Sequence, residues 1–377
     1  MKFIQGSPRT LLDISLVKVT ACVCSSFQGC SPNTEKDKFN CQWKLHSHWS
    51  FDRCKKCIDM INRNISLLKL PRELKKPVAD LCRPIYKEII AWNIGLKQLH
   101  SKIIPSSSAE CSCLDEVSLC ESFQWKSSGS INGKKTAQKL IHDNRLDVRF
   151  RFLLACHYCF EDDVISLSKK MPDVPTSDIG SFTYTFLPLC AYWADWLRGE
   201  EINVLNRYSY AIKHFFLDNS YFSFIVSNAT ALRHFSQKLS PISRSCFSTS
   251  VAMRLSQNPE VMRFCLSEAD EEQQEHIFRI NPRAVLLSFV DWPWQRHFLE
   301  VADRMWTFLK GRDFSFFIKK FCSKINAEWH DFDYTRLLTE YWDHSPIHLK
   351  EYVRNQHEDL MCDLINTIKM NDHVHSI

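Results

Sequence analysis

The sequence predicts an all-α protein, an irregular helical array of the α-solenoid type with a cysteine-rich N-terminal region. Three observations carry that expectation. From Asn258 onward, apolar residues recur at steps of three and four, with helix-starting and helix-ending residues at each break. Only 8 of 377 residues are glycine, well below the roughly seven per cent of average usage, whereas hairpins and βα turns need glycine. Strand-like alternation is convincing only at Phe182, Tyr184 and Phe186, too short a run to found a sheet.

Taken in order, residues 1–104 read as a basic, cysteine-rich helical region, 105–135 as a linker or long loop, and 136–377 as the array. The first 100 residues hold 17 Lys/Arg against 8 Asp/Glu. The linker expectation rests on Ser106-Ser107-Ser108, Ser127-Ser128-Gly129-Ser130 and Gly133. Asp147 to Met171 predicts a helical hairpin: Phe150, Leu153, Leu154 and His157 share one row, and Glu161-Asp162-Asp163 starts the second helix. Segments 192–197, 204–216 and 222–239 continue in the same manner. Asn258-Pro259 and Asn281-Pro282 mark two further starts, because proline at the first helical position forfeits no hydrogen bond.

From Pro293 to Lys310, the apolar residues Trp294, Phe298, Val301, Ala302, Met305 and Leu309 fall on one stripe, with Gln295, Arg296 and Glu300 opposite. Gly311 suits the left-handed residue just past that helix, and Asp313 suits the cap of the next. Phe314, Phe317, Ile318, Phe321, Cys322, Ile325 and Trp329 would form that helix's apolar face. Asp333 opens a third helix, with Tyr334, Leu337, Leu338 and Tyr341. Ser345-Pro346 opens a fourth that could reach about Lys369. No fixed repeat period is demonstrable.

The first thirteen residues lack the apolar run of a signal peptide, and no window has the eighteen or more apolar residues of a membrane span. The expected compartment is therefore cytoplasmic or nuclear, without membrane association. There the 17 cysteines stay free thiols or bind metal. Cys54-Lys55-Lys56-Cys57 is a CxxC, and Cys41 with His46 (or His48) would complete a tetrahedral zinc set beside it. Free cysteines in a cysteine-rich chain are the expected reading, with zinc as the alternative, and otherwise no cofactor is expected. Cys111-Ser112-Cys113 and Cys120, in the expected linker, give a weaker metal pattern. Cys156-His157-Tyr158-Cys159 is also a CxxC, but it ends an apolar helix, where core packing is the expected role.

Enzymatic motifs are missing from the sequence: it has no GxSxG, GxxxxGK[ST], HExxH or GxGxxG, and the chain is expected to be non-enzymatic. Asp162-Asp163 are adjacent carboxylates that point to different helix faces and serve the helix start. Lys55, Lys56, Arg72, Lys75 and Lys76 with Trp43 and Trp49 offer phosphate contacts and base stacking, which leaves a zinc-stabilised nucleic-acid binder as a further alternative. These charges are interspersed with acids and the chain's net charge is only +5, so a solvated face is the expected role.

Two stretches bear a family resemblance. Thr10-Leu11-Leu12-Asp13-Ile14-Ser15-Leu16-Val17-Lys18-Val19 resembles the short helix by which substrate receptors of cullin-type ubiquitin ligases grip elongin C. Leu70-Pro71-Arg72-Glu73-Leu74-Lys75 resembles the element such receptors set against a cullin. Ser15 stands where that family carries cysteine, and about fifty residues separate the two elements. The resemblance implies that Leu11 anchors, that Leu16 and Val19 follow it, and that Leu70, Pro71 and Leu74 face the cullin. Further on, Arg149 to Val164, Asp291-Trp292-Pro293-Trp294 and Asp331-Phe332-Asp333-Tyr334 resemble arthropod-expanded families of helical-repeat proteins, loosely labelled ankyrin-like. The Thr-Pro-Leu-His ankyrin signature is missing, and this resemblance implies a helical array with no established activity. The expected function is a protein–protein interaction scaffold, with a ligase receptor as the alternative.

Overall fold

A computed structural model describes residues 10–25, 51–101, 111, 113–114, 117–171, 188–199, 229–238, 240, 244, 248–249, 251–252 and 258–356. The protein is all-α: no β-strand occurs among the described residues. No described helix is long and apolar enough to cross a membrane. The chain forms two compact units, each drawing on separate stretches of sequence.

Residues 91–124 and 131–309 belong to the first unit. It includes the second half of a helix that runs Cys82–His100, here α4 because three helices of the second unit, α1 (Leu11–Ser25), α2 (Phe51–Leu67) and α3 (Arg72–Asp80), precede it. Next come α5 (Leu119–Ser122), α6 (Gly133–Ile141), α7 (Val148–Tyr158) and α8 (Glu161–Ser168). Leu119, Phe123 and Ile131 are buried, so much of the stretch expected as a linker is packed structure. Asp147 caps α7 by accepting the Arg149 N–H at 2.8 Å. Every α7 residue from Phe150 to Tyr158 is buried, because the helix is covered by α6 and α8 and also by α9 (Pro188–Leu197) and α10 (Ala229–Ser236). The one charge in that buried run, Arg151, donates from Nε to the Ile141 carbonyl at 2.6 Å, so its burial is compensated. The Trp193 indole N–H donates to the Cys156 carbonyl at 3.0 Å. The helix stops where Cys159 turns left-handed (φ 56°) and the Phe160 N–H reaches back to the Ala155 carbonyl, the closing pattern of a Schellman turn.

The rest of this unit is α11 (Pro259–Glu268), α12 (Glu271–Ile280), α13 (Pro282–Leu287), a 3₁₀ turn (Gln295–His297) and α14 (Phe298–Asp303). Asn258 caps α11, accepting N–H bonds from Glu260 and Val261, and α11 and α13 both start on the expected prolines. The expected continuous helix from Pro293 is corrected: α14 is short and begins at Phe298. Gln295 is buried, not on a solvent face, and the Arg263 guanidinium covers the Trp294 ring at 4.6 Å.

Residues 6–90, 125–130 and 310–377 belong to the second unit. Its described helices are α1 (Leu11–Ser25), α2 (Phe51–Leu67), α3 (Arg72–Asp80), the first half of α4, α15 (Gly311–Asn326), α16 (Tyr334–His344) and α17 (Ile347–Gln356). Phe314, Phe317, Phe321 and Tyr341 are fully buried where α15 meets α16, with Phe314 and Tyr341 ring centroids 4.9 Å apart. Lys324 is buried beneath Trp329 (4.1 Å) and Tyr334 (4.6 Å) and donates to the Tyr334 hydroxyl, so its charge is stabilised by ring faces. The Arg83 guanidinium donates to the Ala327 carbonyl just past α15.

Three local expectations are corrected here. Gly311 is the first residue of α15, not a left-handed stop; the Tyr352 ring lies where a Cβ would project. Asp313 lies inside that first turn and is buried, while Lys310 holds the cap position. The helix ends at Asn326, ahead of Trp329, because Glu328 adopts φ 54°. By contrast, Asp333 does cap α16, accepting from the Arg336 N–H at 2.9 Å.

Candidate functional site

Thr10 and Asp13 hold the start of α1 reciprocally. The Asp13 N–H donates to the Thr10 hydroxyl and the Thr10 N–H to the Asp13 carboxylate, each at 3.1 Å, an arrangement that satisfies two orphan donors at once. Past that turn, Val17, Thr20, Ala21 and Cys24 are buried, and α1 packs on α3 and α2. The Thr20 hydroxyl bonds the Leu16 carbonyl at 2.8 Å and lies 3.4 Å from the Val78 carbonyl of α3.

The tip of α1 contrasts with the buried face of its later turns. Leu11 is 81% exposed and Leu12 54%, although a leucine normally gains by leaving water. Leu16 and Val19 are half-buried. Pro71 is exposed at the N-cap of α3, and Leu70 and Leu74 are half-buried beside it. Lys75 donates to the Ser66 carbonyl at 2.7 Å, closing the end of α2. The two sequence elements, far apart along the chain, thus lie on helices that pack together.

Of the residues expected to bind zinc, Cys41 and His46 lie outside the described residues. Cys54 and Cys57 fall on the first two turns of α2, where a spacing of three puts both on one helix face; their side chains lie outside the described residues too. Within the first unit, the structure brings together a different set. The ligand atoms of His100, Cys111 and Cys113 all lie within 4.8 Å of one another, and His100 Nε2 is 3.2 Å from Cys113 Sγ. His100 ends α4, and its ring meets Phe150 edge-on at 5.1 Å. Cys113 is buried and Cys111 half-buried. Burial pushes the Cys113 thiol up to about 11, against a backbone N–H of Asp147 that donates to it. Arg149 holds the Asp147 carboxyl below its ordinary range through paired hydrogen bonds of 3.0 and 2.7 Å, and its guanidinium acts on both Cys111 and Cys113. The sequence signal for this site was a Cys-x-Cys eleven residues after a histidine, which read as weaker than the CxxC in α2.

The other CxxC is core, as expected: Cys156 and Cys159 are buried, and burial raises both thiols. An open cavity nearby is lined by Gln138, Phe160, Glu161, Asp162 and His234, with Lys238 donating to Glu161 at 3.1 Å. Asp162 and Asp163 belong to the first turn of α8, and Asp163 bonds His142 at 3.1 Å.

Compared with protein families, with curated proteins and with solved structures, the chain matches none of them.

Proposed function

We propose that the chain is a non-enzymatic protein-interaction protein that docks a partner through the tip of α1. The observation that carries this reading is the exposure of Leu11 and Leu12 at the start of a helix that buries Val17, Thr20, Ala21 and Cys24 along one face further on. Large apolar side chains held at a capped, packed helix end are ready to enter a pocket with little further ordering cost. A second reading names the partner: an elongin-type adaptor on Leu11, Leu16 and Val19, with a cullin against Leu70, Pro71 and Leu74. The packing of α1 on α3 favours it, since both elements then belong to one surface-bearing cluster.

Affinity purification of the tagged full chain, beside a Leu11→Ala, Leu12→Ala variant, tests both readings. Buried apolar anchors typically cost about 2 kcal/mol or more when truncated, which weakens binding about thirtyfold. The variant should lose its partner while its helicity and melting temperature stay nearly unchanged. Elongin and cullin subunits in the lost fraction support the ligase-receptor reading; a different protein there supports a scaffold. Recovery indifferent to the two leucines, or dependent on nucleic acid, rejects docking through α1.

A further inference from the structure

We propose that His100, Cys111 and Cys113 bind a zinc ion that fastens Cys111 and Cys113 to the end of α4, beside the start of α7. Tetrahedral zinc, with Zn–S about 2.3 Å and Zn–N about 2.0 Å, sets its ligand atoms about 3.5–3.8 Å apart. The 3.2 Å separation of His100 Nε2 and Cys113 Sγ and the 4.8 Å limit on the whole triad need only sub-ångström side-chain shifts to meet that geometry. Two thiolates with one imidazole form a borderline-soft set suited to zinc, and the hard cations calcium and magnesium prefer oxygen. On binding, each thiol releases its proton to solvent, and the two thiolates neutralise the ion's charge. Solvent fills the fourth position from the half-buried Cys111 side.

The surroundings match what a thiolate zinc site needs outside its ligands. The Asp147 N–H donates to Cys113, Arg149 lends positive charge to both sulfurs, and Phe150 fixes the plane of the His100 ring. The triad joins the end of α4, at His100, to Cys111 and Cys113, with Asp147 and Arg149 at the start of α7 beside it. A metal held by all three residues links the end of α4 to a point more than ten residues further along the chain, so its binding energy contributes to folding. This site is independent of the docking surface on α1.

Cobalt(II) titration of the reduced full chain, in a Cys54→Ser, Cys57→Ser background that silences the other knuckle, tests the proposal. The background chain should take up cobalt with sulfur-to-metal charge-transfer absorption and the strong visible bands of a tetrahedral site, and added zinc should bleach them. Cys111→Ser with Cys113→Ser should abolish the absorption. His100→Cys supplies a third thiolate, so the charge-transfer absorption should strengthen while helicity persists, a result that cannot come from misfolding. Absorption unchanged by either substitution overturns the proposal, as does a folded background chain that takes up no cobalt.

Discussion

His157 sits on α7 with its ring 5.0 Å from that of Tyr158, and burial pulls its pKa from 6.5 down to about 4. Between those values the unfolded chain holds a proton that the folded chain refuses. The unfolded state is therefore favoured as pH falls through this window, and stability rises with pH. Roughly 3 kcal/mol separates the two ends. His234 and His297, also lowered by burial, act in the same direction. Denaturant midpoints between pH 7 and pH 4 should fall more steeply for the native chain than for His157→Gln. Parallel curves would mean that His157 is protonated in the fold. At this scale, legibility was uneven. The buried row of α7 was readable because its apolar residues are adjacent in sequence. The triad of His100, Cys111 and Cys113 was not, because nothing local tells that the turn returns to the end of α4. The Tyr352 ring against Gly311 is a contact across 41 positions, which a reading of local turns assigned to backbone conformation instead.

Helix α12 shows how much of an element is decided by its first four residues. The Asp270 carboxylate accepts from the Gln273 N–H at 2.9 Å, and the Gln273 side chain accepts from the Asp270 N–H at 3.0 Å. Asp270→Ala removes half of this box and a negative charge at the positive end of the helix dipole. It should lower stability by about 1 kcal/mol, read from chemical denaturation, whereas Glu271→Ala, which bonds no cap, should change it far less. Equal effects would assign the loss to charge and not to the cap. Caps are local, which is why the starts at Asn258 and Asp333 are legible; those at Pro282 and Glu161 have no side-chain cap and are legible from the proline and the first-turn acids instead. Helix ends were harder. Glu328 and Cys159 take left-handed conformations without the glycine that marks such turns, and the stretch from Pro293 keeps a helical apolar period while its backbone makes turns as far as Phe298.

The described helices gather in two groups: in the first unit α6 packs on α7, α7 on α8, and α11 and α12 on α13, and in the second α1 and α2 pack on α3 and α15 on both α16 and α17. Each unit then rests mostly on contacts made within it, the condition under which parts of one chain open separately. Phe317 is a direct probe, being fully buried in the second unit with its ring edge-on to Tyr341 at 6.4 Å. Phe317→Ala leaves a cavity where α15 meets α16 and should cost about 3–5 kcal/mol. Hydrogen exchange of the native chain, followed by mass spectrometry at low denaturant, locates that loss. Amides of α15, α16 and α17 should exchange faster, while those of α6, α7 and α8 in the first unit keep their protection. If α6 to α8 lose protection in step with α15, the chain unfolds as one cooperative body, and separate opening of the two units is rejected.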